Sequence, residues 1–325
     1  MDAVATTFDG GDGGDEFLQL ETPPPELSKG QKTWREIKRW KSTYVFIAPF
    51  MILFFVFTFV PIIVSFFISF TYFNMMEFPR WIWFDNFTRM FLEDELFFRV
   101  LMNTLTLAVL LGPVGYIVTF IYAWLINELP KGLRVGMTII FFAPGFGGLG
   151  MFWGILFSHD SMGYLNGWLL RFGLINTPIL FRQVEFWMLF MILLIGYMGS
   201  IGAGFLIFIG ALNGVDASQL EAAAVDGVKN RWAELWYVVL PNIRPQLALT
   251  AILSITGAFG VGGVVTEALG NPSYQYRWHT LALHMDDVGG VRWELGYASA
   301  MALVLMAMSL SANKGIQAMI RKIGE

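Results

Sequence analysis

The stretch NGVDASQLEAAAVDGVKNRWAELWYVVLPN, residues 213–242, is a polar segment set between two long apolar blocks. Asp216 is placed to cap a helix, with Gln219 three residues later as the reciprocal member of a capping box. Ala222, Ala223 and Ala224 are the strongest helix formers, and Gly227 supplies the left-handed position that ends a helix. A second short helix is predicted from near Asn230 into Trp236. Pro241 then marks the start of the next apolar block, where its missing N–H does least harm. The pattern predicts a helix–turn–helix at a membrane surface, with Glu221 and Asp226 on or beside its exposed face. On pattern alone, an ordinary interfacial helix and a docking helix for a protein partner are equally good readings.

Outward from this segment the sequence is dominated by apolar runs. Of 325 residues, 56% are hydrophobic and 14% charged, and the mean hydropathy is +0.58. A soluble protein keeps about a quarter of its residues charged. Crossing a bilayer by helix takes roughly 20 mostly apolar residues. Six stretches meet that need, at about 44–71, 101–126, 135–157, 187–211, 239–264 and 295–318. Pro49, Pro61, Pro113, Pro144 and the Gly145–Gly150 cluster fall inside them, which membrane helices tolerate where neighbours satisfy the freed backbone groups. The expected fold class is therefore an all-α transmembrane, six-span helical bundle.

Charge sets the expected orientation. Residues 1–28 carry seven acids and no Lys or Arg, and read as a disordered acidic tail. Residues 29–43 are a basic juxtamembrane segment, and 44–325 form the membrane domain. With the N-terminus inside, segments 1–43, 127–134, 212–238 and 313–325, together with Arg244, hold fourteen of the 21 basic residues and all eight lysines. The positive-inside bias then puts both termini in the cytoplasm. Trp81, Trp83, Phe84, Tyr274, Tyr276 and Trp278 fall in the outer loops, where an interfacial aromatic belt is the first explanation and ligand stacking the second.

The wording of residues 221–241 resembles the EAA motif of permeases of binding-protein-dependent ABC importers, E-A-A-x3-G-x9-I-x-L-P. Glu221, Ala222, Ala223, Gly227, Leu240 and Pro241 match it, with Val238 at the isoleucine position and ten residues, not nine, after Gly227. An extra residue between Gly227 and Arg231 would absorb the difference. Residues 83–105, 269–285 and 295–305 are similar to the first outer loop, a later outer loop and the last span of sugar-type permeases. The resemblance implies a type I (MetI-like) importer permease, similar to the first permease of maltose-type transporters. It also implies that about 216–236 is the coupling helix. Glu221 would anchor it to a cytoplasmic ATPase, Ala222 and Ala223 would allow close approach, Gly227 would make the bend, and Asp226, Leu240 and Pro241 would complete it.

The chain has no G-x-x-x-x-G-K-[ST] loop to cradle nucleotide phosphates. GFGGLG (145–150) lies within an apolar run with no strand before it, and is read as a closely packed or flexible helix segment. Cysteine is absent, and His159, His279 and His284 lack metal-ligand spacing, so they are assigned no site. No cofactor or metal is expected on this chain, and ATP and Mg would belong to the partner ATPase. No charged pair inside the spans suggests an ion-coupled carrier.

For a solute path the candidates are two stripes of small residues, Gly196, Gly199, Ser200 and Ala203, and Ser254, Gly257, Ala258 and Val261, with Tyr197 and Thr256 beside them. Close helix packing is the first explanation of each stripe and a solute path the second, and one face can serve both. The function implied is a transport subunit, not an enzyme, in a prokaryotic cell membrane. It would carry a sugar or oligosaccharide delivered by an extracytoplasmic binding protein, beside a second, related permease and an ATPase dimer. A non-carbohydrate solute in the same importer class, and more remotely an autonomous ion-coupled carrier, are the alternatives.

Overall fold

The computed structural model of the chain describes residues 38–142, 150–161, 163–199 and 202–324, with Gly30 and Thr33. The acidic tail at 1–28, most of the basic segment, Pro144, residues 145–149 of the glycine cluster and Ser200 lie outside the described residues. Contacts divide the chain into two units, Met1–Pro61 and Ile62–Glu325.

Helix α1 is Lys41–Ile68. Through Phe59, all of it in the first unit, no residue is buried. Its side chains, Phe46, Phe50, Phe57 and Phe59 among them, turn apolar surface outward, as hydrocarbon solvent allows and water does not.

The second unit opens with the end of α1 and a short antiparallel pair, β1 (Thr71–Tyr72) and β2 (Arg80–Trp81), with Thr71 opposite Trp81. Helix α2 (Asp85–Leu92) follows, and its buried Asn86 donates through Nδ2 to the carbonyls of Ser69 (2.8 Å) and Thr71 (2.9 Å). Then come α3 (Phe97–Asn127), α4 (Lys131–Phe142), α5 (Gly150–Leu156) and α6 (Tyr164–Arg171). These lead into α7 (Glu185–Gly199) and α8 (Ala203–Asn213). The rest is α9 (Ala217–Val225), α10 (Arg231–Asn242), α11 (Arg244–Ala258), α12 (Gly262–Leu269), α13 (Leu281–Asp286) and α14 (Leu295–Gly324).

Among the described residues three helices are long and apolar enough to cross a membrane, Lys41–Ile68, Phe97–Asn127 and Leu295–Ala318. They coincide with the first, second and last expected spans. The expected span at 187–211 is the pair α7 and α8, bent by 46°. The expected span at 239–264 needs correction. Its first residues belong to α10, and the chain bends by 84° between α10 and α11. The pivot is buried Ile243, and the new helix starts at Arg244 with Pro245 in its first turn. Pro241 therefore sits in the last turn of α10, and Pro245 takes the helix-start role expected of it. The span expected at 135–157 corresponds to α4 and α5, on either side of residues outside the described set.

Two apolar clusters form most of the core. One gathers Leu107 and Leu111 of α3, Met188, Met191, Ile192 and Ile195 of α7, and Val265 and Ala268 of α12 around Trp153, Phe157 and Phe181. The other packs Ala123, Trp124 and Ile126 of α3 against Phe205, Phe208 and Leu212 of α8, with Leu235 and Val239 of α10 and Ile243.

A polar network joins α2, α3, α13 and α14. Asp94, between α2 and α3, accepts from Tyr297 Oη (2.6 Å) and from the Leu96 N–H (2.9 Å), and its Oδ2 lies 2.8 Å from His284 Nε2. Arg89 pairs with Glu294 and stacks over the Tyr297 ring, 4.5 Å from its centroid. Burial alone would raise the Asp94 carboxyl, but the hydrogen bonds from His284 and Tyr297 prevail and hold it well below the usual carboxylate range. Nearby His279 is fully buried, with its Nε2 3.4 Å from Asp287, and burial pushes its imidazole down. Of the three histidines read from sequence as siteless, His279 and His284 are thus built into the fold beside carboxylates, while His159 is exposed.

Because the Asp94 pKa is depressed on folding, its contribution is present above the unfolded carboxyl value of about 3.9 and is lost as pH falls below it. Asp94→Asn is expected to cost about 1–3 kcal/mol, read as a fall in Tm at pH 7 in detergent. The difference from the native chain should shrink on acidification, and an equal Tm for the two at pH 7 would contradict the network's role.

Candidate coupling helix and solute cavity

Helix α9 begins at Asp216, whose Oδ1 accepts from the Ser218 N–H (2.9 Å). Those bonds to Ser218 pull the Asp216 carboxyl below its ordinary pKa. The expected capping box does not close. Gln219 instead turns its Oε1 to Asn242, whose Nδ2 donates at 2.6 Å and also reaches the Val238 carbonyl at 2.8 Å. This strut ties α9 to the last turn of α10, next to the 84° bend. Asn242 was not foreseen, because its partner is 23 residues away in sequence.

The far end of α9 follows the sequence. Gly227 has φ +94°, the Val228 N–H reaches back to Ala223 O (3.0 Å), and the Gly227 N–H to Ala224 O (3.3 Å). That is the paired closure of a Schellman ending, which needs a residue without a Cβ at this position. Asn230 caps α10 by accepting from the Trp232 N–H at 3.0 Å. Arg231 binds Glu234 (2.9 Å) and lies 3.5 Å from Glu128 at the end of α3. Trp232 packs on Trp124, ring centroids 4.8 Å apart.

Residues Leu235–Val239 of α10 form a π-helical turn. Such a turn is how a helix takes in one extra residue. It places the ten-residue spacing after Gly227 inside the helix, not in the connection before Arg231 as expected. Glu221, Ala222, Asp226 and Gly227 are exposed, whereas Ala223 is buried. Val225 stands almost fully exposed on the same short helix, and Trp236 and Tyr237 are exposed on α10. Leu240 is half-buried and Pro241 exposed in the last turn of α10.

The second feature is a cavity of 530 Å³ between α3, α7, α8, α11 and α12, within the range of about 300–1,000 Å³ typical of ligand sites. Six of the expected residues line it: Gly196, Gly199, Ser254, Gly257, Ala258 and Val261. Ser200 lies outside the described residues, and nothing is shown of the Ala203 side chain. Tyr197 and Thr256 do not line it, a correction with a common cause: each hydroxyl is drawn to a partner on another helix. Tyr197 Oη donates to the Leu110 carbonyl (3.0 Å), and Thr256 Oγ1 meets Asn313 of α14, 2.9 Å from its Nδ2.

The two readings of the small residues divide by position. A Cβ at Gly196 would lie 2.6 Å from Leu111 Cδ2, so this glycine serves helix contact. A Cβ at Gly199 or Gly257 would meet nothing within 4 Å, so those glycines leave space. Ser254 both lines the cavity and donates to the Gly112 carbonyl (2.9 Å). Sequence reasoning passed over Tyr116, Thr119, Thr250 and Glu267, which add hydroxyls and a carboxylate to the lining. Thr250 lies on the face of the Ser254 stripe, one turn before its first named residue, Tyr116 and Thr119 lie on α3, where no stripe was named, and Glu267 falls beyond the expected end of the apolar run.

These features meet a clear set of relatives. The chain is 30% identical over 271 residues to the "Probable ABC transporter permease protein YesP" of Bacillus subtilis (strain 168), matching 82% of this chain and 85% of that one. It belongs to the ABC transporter permease family. Membership makes it a membrane transport subunit, not an enzyme. The lactose transport system permease protein LacF of Rhizobium radiobacter is 28% identical over 74% of this chain and 80% of its own. The fold matches a chain of the bacterial alginate ABC transporter crystallised with alginate pentasaccharide-bound periplasmic protein. That match has a TM-score of 0.76 at 24% identity, over 90% of this chain and 98% of that one. No family model matches the chain.

Gly196→Ala is expected to lower the Tm of the purified protein by an amount equivalent to about 1–3 kcal/mol, because the new methyl meets Leu111. Gly199→Ala, with open space at its Cβ, should leave Tm within about 0.5 kcal/mol of the native chain. Equal losses for both would refute the division of roles.

Proposed function

We propose that this chain is one of two permease subunits of an ATP-driven importer in the plasma (inner) membrane of a prokaryote. It crosses the bilayer six times, with both termini in the cytoplasm. Its solute is a sugar or oligosaccharide delivered by an extracytoplasmic binding protein, and the second permease is a different, related chain. The relatives named above support the carbohydrate reading, since LacF is a lactose permease and the alginate transporter handles a saccharide.

The observation that carries the coupling step is the mounting of α9. Its Glu221, Ala222 and Val225 are exposed. Its start is tied by Gln219 to Asn242, and its end is closed at Gly227. A helix mounted in this way moves as a rigid piece with α10, and α10 leads through the Ile243 bend into the cavity-lining α11. When a cytoplasmic ATPase dimer closes on ATP and Mg held by its own residues, α9 turns that closure into a shift of α11 and α12. To take the cavity from 1:99 to 99:1 between the two sides, ATP must favour one state by about 5.5 kcal/mol. In this arrangement Glu221 pairs with a basic group of the ATPase, Val225 seats beside it, and Asp226 flanks the turn.

Glu221→Ala is expected to leave the Tm of this chain unchanged, because the side chain is exposed, while the ATPase co-purifies with it at less than about a tenth of the native yield. Native yield and native ATP hydrolysis in that variant would end the coupling assignment.

A further inference from the structure

Among the described residues that line the cavity, Glu267 is the one with a charged side chain. It sits half-buried on α12, one turn after Gly263, which lines the same cavity. Among the described residues, no hydrogen bond or ion pair holds its carboxylate. The rest of the polar lining is neutral hydroxyl, from Tyr116, Thr119, Thr250 and Ser254. No Lys, Arg or His among the described residues reaches the cavity.

A carboxylate at a site with apolar walls acts over a longer range than in water, because little solvent screens it. A solute carrying carboxylates, such as a uronic acid oligomer, would meet repulsion there and find no cation to offset it. A neutral sugar is accepted by the hydroxyls, and its own hydroxyls can donate to the Glu267 oxygens. An amino sugar gains further. In a cavity read as the solute path, an unpaired carboxylate sets the sign of what passes.

We propose that Glu267 makes the cavity selective by charge, so that the chain carries neutral or amino-bearing saccharides and rejects uronates. This rests on the importer function proposed above and specifies its substrate class.

The absence of cysteine allows a direct test in the transporter purified with all its subunits. Gly257→Cys and Gly263→Cys each place a thiol in the cavity at positions where a Cβ meets nothing within 4 Å. The rates of modification by cationic trimethylammonioethyl methanethiosulfonate and anionic sulfonatoethyl methanethiosulfonate are then compared, each relative to free cysteine. The expected preference for the cation is about tenfold. It should vanish with Glu267→Gln and persist with Glu267→Asp. Equal rates with Glu267 present, as when a second permease supplies a cation that neutralises it, would overturn the proposal. So would a preference unaltered by Glu267→Gln, or thiols that react with neither reagent. ATP hydrolysis separates the two readings: if a bulky maleimide on Gly257→Cys leaves it unchanged, the cavity lies off the transport cycle and the importer reading fails, whatever the charge preference.

Discussion

Inside hydrocarbon, each backbone N–H and C=O must find a partner within the protein, and a helix that breaks its own ladder must borrow one. Helix α3 breaks its ladder at residues Leu110–Val114, where Gly112 and Pro113 widen one turn into a π-helical form. Two carbonyls of that turn are met from outside, Leu110 by Tyr197 of α7 and Gly112 by Ser254 of α11. Those bonds hold α7 and α11 at fixed positions against α3, on either side of the cavity. Without the widened turn neither hydroxyl would have its acceptor there, and the spacing that leaves room beside Gly199 and Gly257 would be set only by non-directional apolar packing.

The same accounting explains how α9 is mounted. A short helix at an interface has little apolar area to hold it, so its position depends on its ends. Asp216 and the Gly227 closure satisfy the terminal N–H and C=O groups of α9, while the Gln219–Asn242 bond fixes its angle to α10. The glutamine that a local pattern assigns to a capping box serves across the turn instead, where it resists rotation of α9 against α10. The Arg231–Glu128 pair, with the Trp124–Trp232 contact, braces α10 against the end of α3 in the same way.

What the sequence made legible follows the range of each interaction. Long apolar runs showed α1, α3 and α14 directly, and the exposed α9 with its Gly227 ending was written in local residue types. The 84° bend was hidden because Ile243, an unremarkable residue in an apolar run, becomes the pivot only when it packs with Phe205, Phe208 and Leu235. The Asp94 network was hidden for a similar reason. His284 and Tyr297 meet Asp94 across separations of 190 and 203 residues, so no spacing rule applies to them. In the cavity the small-residue stripes gave the correct faces of α7 and α11. Tyr197 and Thr256 were added for their chemistry alone, and partners on other helices draw their hydroxyls away.

The choice between packing and passage for a stripe of small residues is not a choice between whole stripes. Gly196 is pressed against Leu111 and Ala258 against Gly112, and these contacts set how near α7 and α11 come to α3. One turn after Gly196 on α7, and at the position next to Ala258 on α11, Gly199 and Gly257 leave an opening whose width those contacts determine. A side chain at a contact position would force the helices apart and deform the opening, whereas one at an open position would fill it. Close approach at one position therefore sets the space at a neighbouring one, and small residues serve both because each role asks for little or no side chain.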